Sequence, residues 1–376
     1  ISTPDDFTIV FNLSYADDNF LYALTNPGAM PCDEEFFNLT NGKYGLDAKY
    51  LLCNGPFHVS KWTEKTSVKL AKNNEYNGES SVSPSSVTFY INNDDSEVAD
   101  KMNSVTYDVA FLSSSQFSSI ENKKDLNSVA VQNVTYSFIF NQNDNNYRNK
   151  NMRLAFCRSC DTSSLFDSQS DISKADGIVP PSCKIGGEDY RNGNAAELLS
   201  YDETLAKKNF NDALLDLGSS SVETTILCTE QYEPFVKQMV QKLQKTLGVK
   251  FVSTVKVVSE SDLEAAVNDG NYSVAFYPFK AKSSFAGEII EGFDQNNIFG
   301  YESDVLSQKI RNIKNNSGSL EGERSAVADA ENYLVSEAVI MPVFYENSYF
   351  VTSKKTSGIY FYSSADNVCF INAKKS

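Results

Sequence analysis

Between Asp202 and Tyr277 the sequence alternates helical and strand periods, with punctuation at each change. Asp202 is placed to cap a helix that turns Leu205, Phe210, Leu214 and Leu217 to one side and stops at Gly218. An apolar run at 224–228 precedes a helix from about Glu233 to Leu247, which buries Val236, Met239, Val240, Leu243 and Leu247 and ends at Gly248. A strand at 249–258 runs into Ser261-Asp262-Leu263-Glu264, whose spacing predicts a capping box, and a strand at 272–277 completes the unit. A strand–helix–strand–helix–strand succession can bury its apolar surfaces only by laying helices over a sheet, so this stretch is an α/β lobe.

The remainder reads as further α/β structure. A strand at 7–13, a helical turn at 20–24 and a break at Asn26-Pro27-Gly28 look like the end of a lobe whose beginning is absent. Phe57, Val59, Trp62, Val68 and Leu70 alternate as in a hairpin with one buried face. A strand at 87–91, a helix capped by Asp95 or Ser96 with Val98, Met102 and Val105 inward, and a strand at 107–112 predict a βαβ unit in a parallel or mixed sheet. Near the C-terminus the surface loop Asn315-Asn316-Ser317-Gly318-Ser319 precedes a helix from about Glu323 to Glu337 and strands at 340–345 and 349–352. At 376 residues the chain exceeds what one core usually serves, so two or more lobes are expected.

The balance of 33 basic against 49 acidic residues gives a formal charge of −16, which repels nucleic acid and anionic headgroups and otherwise keeps a protein dispersed. No apolar run approaches the roughly 20 residues of a membrane span, and Ile1-Ser2-Thr3-Pro4-Asp5-Asp6 is not a signal peptide. The chain reads as a processed or truncated piece of something longer. Its seven cysteines are too sparse for a disulfide scaffold. A Cys32–Cys53 bridge would close a loop worth about 3 kcal/mol, and that pairing stays open. Cys157 and Cys160 form a CxxC beside the helical Met152-Arg153-Leu154-Ala155-Phe156, with no second CxxC or His cluster, and read as half-buried thiols.

A single histidine, His58, lies in the hairpin and rules against Ser-His-Asp, Cys-His and His-rich metal sites. No phosphate loop, nucleophile elbow or zinc-protease motif appears in a suitable context. Carboxylates are plentiful, but nothing singles out a catalytic pair. The run Asn141-Gln142-Asn143-Asp144-Asn145-Asn146 lacks the central Gly and terminal Glu of a calcium loop and reads as a polar crossing between lobes.

A series of short segments then carries a resemblance. Cys53-Asn54-Gly55-Pro56-Phe57 stands in the place of a G-T-G-P-Y/F pattern, and Asn73-Asn74-Glu75-Tyr76 matches the N-x-x-Y that follows. Tyr136-Ser137-Phe138-Ile139-Phe140-Asn141 comes before Met152-Arg153-Leu154-Ala155-Phe156 and Asp161, Gly177-Ile178-Val179-Pro180-Pro181 gives a G-x-x-P-P, and Pro342-Val343-Phe344-Tyr345 and Gly358-Ile359-Tyr360 close the series. In this order the segments resemble the family 5 solute-binding proteins of ABC transporters, the oligopeptide- and dipeptide-binding group.

The resemblance implies a periplasmic-binding-protein-like type II fold, two α/β lobes with mixed sheets joined by a hinge. Residues 1–53 would end the small lobe II, 54–140 and 341–376 would form lobe I without its N-terminal part, and 141–340 would form lobe III. It implies an extracytoplasmic component of a bacterial ABC importer, a monomer without cofactor, metal or enzymatic activity. Such a protein captures a peptide or peptide-like solute for a membrane permease, and a lipidated N-terminus anchors it. Ligand contacts are expected at Tyr277, Phe279 and Lys282, with Phe344 and Tyr345 at the hinge, and the hinge crossings at Phe140–Asn143 and Val343–Tyr345. The family's W-x-x-D, which receives a peptide amino group, aligns with Phe279-Lys280-Ala281-Lys282, so a lysine replaces the acid. Either ligand choice has changed or Lys282 is an ordinary surface lysine. Tyr277 and Phe279 read equally as alternating core aromatics. A sensor or surface scaffold without transport is the alternative function, and an acidic surface hydrolase a further one.

Overall fold

The computed structural model describes residues 1–13, 20–25, 27–91, 95–121, 123–162, 165–166, 170–363 and 367–376. The first 53 residues make a small hairpin and short helical turns, with Phe7, Ile9 and Leu39 exposed. The expected break at 26–28 lies partly outside the described residues, as do the side chains of Asp95 and Ser96. Chain order then gives β1 (Phe57–Thr63), β2 (Ser67–Lys72), β3 (Ser86–Tyr90), α1 (Asp95–Asn103), β4 (Val109–Ser113), α2 (Ser114–Ser119) and β5 (Leu126–Val131). There follow β6 (Val134–Phe140), α3 (Lys150–Arg158), β7 (Ile172–Lys174), α4 (Glu203–Leu217), β8 (Val222–Thr229), α5 (Glu233–Leu247), β9 (Phe251–Val258), α6 (Glu260–Asn268) and β10 (Val274–Lys280). Last come α7 (Asp304–Asn315), α8 (Leu320–Ser336), β11 (Ile340–Glu346) and β12 (Ser348–Ser353).

The larger lobe is built on a six-stranded sheet in the order β9-β8-β10-β6-β11-β7. Strands β8, β9 and β10 run parallel, while β6 is antiparallel to its neighbours β10 and β11. Helices cover both faces. Side chains of α3, α4 and α5 pack with Phe138, Phe140, Phe276 and Phe344 on one, and those of α6, α7 and α8 pack with Ile139, Ala275, Phe279 and Ile340 on the other. Successive residues of a strand face opposite ways, so Phe138 and Ile139 serve different layers.

The punctuation explains the helices. Asp202 accepts the Leu205 N–H, and Gly218 ends α4 with φ 61°, a left-handed conformation costly for any residue with a Cβ. Helix α5 runs as the sequence predicts, from Glu233 to Leu247 with Gly248 after it. Helix α6 starts earlier than expected, because Ser259 rather than Ser261 caps it by accepting the Asp262 N–H at 3.1 Å. Ser259 and Ser261 both stand three residues before an acid, and only the cap geometry separates them.

Two segments of family-like sequence act as internal ties. Arg153 is buried, and its guanidinium donates to the carbonyls of Tyr147, Arg148, Glu337 and Ala338. Around Gly177-Ile178-Val179-Pro180-Pro181, Arg191 pairs with Glu331 through both terminal nitrogens, Glu331 also accepts from the Val179 N–H and the Tyr190 hydroxyl, and Arg191 Nε donates to the Val179 carbonyl. A side chain at Gly177 would collide with both charged groups, which is why the close approach requires glycine there.

The smaller lobe differs from expectation. Strands β3 and β4 flank α1 but join different sheets, β1-β2-β3 and β4-β12-β5, both antiparallel, so the βαβ reading fails. Periodicity reports burial and not partners, and β4 finds its partner in β12, far along the chain. Leu112 and Val351 of this second sheet pack on Ala99 and Met102 of α1. Among the described residues all seven cysteines are free, so no Cys32–Cys53 bridge is formed. Cys157 and Cys160 are fully rather than half buried.

The lobe boundaries also move. Strand β6 and all of β11 belong to the larger sheet, so the chain changes lobe at Gln132–Asn133 and again at Asn347, not at Phe140–Asn143 and Val343–Tyr345. Phe140 is wholly buried at the end of β6. Asn141 donates to the carbonyls of Gly270 and Tyr272, fastening the entry to β10 within one lobe. Asp144, in the Asn-rich run, accepts from the Asn146 N–H and the Ser273 hydroxyl. That run is a turn inside the larger lobe rather than a crossing.

Candidate functional site

In an open α/β sheet ligands collect outside the carboxyl ends of the parallel strands, where helix N-termini and loops converge. Here Thr229, Val258, Lys280 and Glu346 end β8, β9, β10 and β11 at one edge, and β6 begins there at Val134. Both crossings to the smaller lobe leave from the same edge. The Gln132 amide donates to Asn347 Oδ1 at 2.7 Å and to Ser173 Oγ at 2.9 Å, which ties the two crossings together. The Ala281 N–H donates to the Asn133 carbonyl at 2.9 Å. Asp171 binds both lobes, its carbonyl accepting from the Asn347 N–H at 2.7 Å and its carboxylate from the Ser115 N–H at 2.5 Å.

The expected contact residues divide between core and surface. Phe344 and Tyr345 are enclosed, and the Tyr345 hydroxyl accepts from the Asp176 N–H and donates to the Val179 carbonyl. They are core residues one and two positions before the edge, not hinge residues facing a solute. Phe279 is 9% exposed and stacks on Phe293 at 5.7 Å. Tyr277, half buried, meets the Phe279 ring edge-on at 5.6 Å, and burial raises its phenol above the usual range. Phe279 packs within the core of that face, and Tyr277 lies partly buried against it. Lys282 alone is exposed, immediately beyond the edge.

A residue the sequence did not mark sits at the other side of β6. Glu346 ends β11 one position before the crossing, half buried, and its Oε1 accepts the Tyr232 hydroxyl at 2.8 Å. Tyr232 in turn accepts from the Gln231 amide at 3.2 Å, and its ring lies 4.4 Å from Tyr136 and 5.3 Å from Phe344. Burial holds the Glu346 carboxyl above the ordinary range; the Tyr232 hydrogen bond and Lys280 act against this, while Glu260 and Asp171 reinforce it. The only sequence sign was an acid closing an apolar strand, in a chain rich in acids.

No group of three or more His, Cys, Asp or Glu side chains able to hold a metal occurs among the described residues, and none of their helices is long and apolar enough to cross a membrane. His58 is exposed on β1. Charged side chains thus stand at the carboxyl ends of the strands beside two tied crossings. Comparison with known proteins then decides the family: the sequence model of "Bacterial extracellular solute-binding proteins, family 5 Middle" matches residues 1–299. The chain belongs to that family. Among family 5 relatives, the dipeptide-binding protein DppE of Bacillus subtilis (strain 168) is 23% identical over 367 residues, which is 96% of this chain and 67% of DppE. The substrate-binding domain of an oligopeptide ABC transporter from Bacillus anthracis str. Ames superposes with a TM-score of 0.77 at 18% identity, over 96% of this chain and 73% of that one. Peptide-bound OppA of Listeria monocytogenes gives 0.75 at 20% identity, over 96% and 72%. The fold of this family 5 protein is thus that of the type II periplasmic binding proteins.

Proposed function

We propose that this family 5 protein captures peptides or peptide-like solutes outside the cytoplasmic membrane and presents them to the permease of an ABC importer. The observation that carries the reading is the edge geometry. The carboxyl ends of four strands, an exposed lysine and a half-buried glutamate converge where the two lobes are joined by two adjacent, hydrogen-bonded crossings. A solute held there would be enclosed by rotation about those crossings, with backbone groups and aromatic surface supplying affinity. Relatives of the same fold include a dipeptide-binding protein and a peptide-bound OppA, which supports peptide as the solute class.

The role is binding without a catalytic step, at the outer face of the membrane, where the resemblance implies a lipid anchor. Ligand contacts are assigned to Lys282 and to the edge around it. Native mass spectrometry of the full-length exported protein, purified without denaturation, tests the proposal. Peptide masses released from the protein are expected. A protein that is empty and also ignores a peptide library would sink peptide capture and favour a sensor or scaffold, and a single non-peptide mass would reassign the solute.

A further inference from the structure

The CxxC of the larger lobe borders a cavity. That space, about 210 Å³, lies between the end of α3, the start of β11 and the loop around residue 200, and Cys157, Cys160 and Met341 are among the side chains that line it. Both cysteines are buried, at 2% and 4% exposure, whereas the lining residues Lys174, Ser200 and Tyr201 are exposed and mark its mouth. Helix α3 ends at Arg158, but Ser159 keeps helical backbone angles, φ −85° and ψ −16°. Cys157 and Cys160 therefore stand three positions apart on one helical face, where Cβ atoms are about 5–6 Å apart. Met341, on β11, packs against the same apolar layer as the two thiols. Three sulfur-bearing side chains thus border one cavity that is open to solvent.

The donor set selects the ion. Thiolate and thioether sulfur are soft ligands that favour copper(I), and copper(I) is satisfied by two or three of them. Structural zinc takes four ligands from Cys, His and carboxylate, and this lining offers two thiols, the Asp161 carboxylate and no imidazole. Burial pushes both thiols up to about 12 in the empty protein, so binding must release a proton from each. Copper(I) held by two thiolates carries one negative charge. Arg153 and Arg158 near Cys157, and Lys242 near Cys160, offset it. Lys242 is held in place by donating to the Asp161 carbonyl at 2.8 Å.

We propose that Cys157, Cys160 and Met341 form a copper(I) site in this cavity, separate from the strand edge where the solute is assigned and independent of peptide capture. The copper arrives already reduced. Bonds form from the two thiolate sulfurs and the thioether to the ion, two protons leave to water, and no electron is transferred.

The test uses the full chain carrying Cys32→Ser, Cys53→Ser and Cys369→Ser, so that the more accessible thiols do not compete. Copper(I) is titrated without oxygen against bicinchoninate, and retained metal is counted by native mass spectrometry. One ion per chain is expected, with a sulfur-only first shell in X-ray absorption at the copper edge. Because two protons leave, affinity should fall about a hundredfold for each unit fall in pH around neutrality. Adding Cys157→Ser or Cys160→Ser should abolish retention. Met341→Leu, which conserves volume, should lower affinity and leave the two-proton dependence intact; unchanged affinity would overturn the thioether ligand. A chain that retains no copper(I), that keeps it after both cysteines are replaced, or whose copper shell contains nitrogen or oxygen overturns the site. If the serine variants do not fold, the shell composition and the proton count of the parent chain decide the matter.

Discussion

Replacing Glu331 by Met should unfold the larger lobe more readily than any other single carboxylate change in it. Its side chain is 1% exposed and that of its partner Arg191 8%, and the carboxylate also accepts from Val179 and Tyr190. Removing it strands a buried guanidinium and two donors. Breaking a buried pair from one side costs about 3–5 kcal/mol, and the orphaned donors are part of that figure rather than an addition to it. For a unit of this size each kcal/mol moves the melting point by about 2–4 °C, so a fall of about 6–20 °C is expected. Arg191→Met should cost a similar amount. The double variant Glu331→Met/Arg191→Met removes both charges together and should recover most of the loss, since a buried pair is often replaceable by apolar side chains. Thermal unfolding followed by circular dichroism, with urea titration for the free energies, closes the cycle. A single-variant loss under about 1 kcal/mol, or a double variant no better than the sum of the singles, would refute the burial argument.

Other consequences are open to direct measurement. Phe279→Ala should destabilise by about 3–5 kcal/mol in urea unfolding, as a core truncation does; unchanged stability with lost ligand affinity would return Phe279 to the ligand surface. Burial pushes the thiols of Cys157, Cys160 and Cys183 up to about 12 and that of Cys228 to about 11, so native alkylation at mildly alkaline pH should stop at Cys32, Cys53 and Cys369, counted by mass spectrometry. Because the folded carboxyl of Glu346 lies above its unfolded value, its ionisation opposes folding. Glu346→Gln should therefore stabilise the empty protein above the folded pKa, with the gain vanishing as pH falls below the unfolded value; urea midpoints at several pH values would show a pH-independent gain if the reasoning were wrong.

Helix α5 was legible to the residue because two local signals agree there: apolar side chains at helical spacing and a glycine at the stop. The partners of strands were not. The sequence around β4 shows alternation, but its neighbour β12 enters from beyond residue 346, and nothing local announces such a pairing. The same blindness misplaced the crossings, since β6 and β11 are buried along most of their length and a buried strand looks alike in either sheet. At the candidate site, the aromatic residues drew attention by type, while Glu346 and Tyr232 meet only through folding and lie 114 positions apart.

The pairing of β12 between β4 and β5 also orders events in time. The middle strand of that sheet follows the whole larger lobe in the chain, so β4 and β5 emerge first with facing edges unpaired. At about 5–20 residues per second, the roughly 200 intervening residues take about 10–40 s to appear. The larger lobe, contiguous from β6 to β11, can fold within that interval. A chain stopped at Glu346 should keep slow amide exchange in the six-stranded sheet and lose it in β4 and β5; protection of both would remove this order. Completion of the smaller lobe's sheet then comes after the larger lobe, and β4 and β5 are where an interrupted chain is open to proteolysis or to a chaperone.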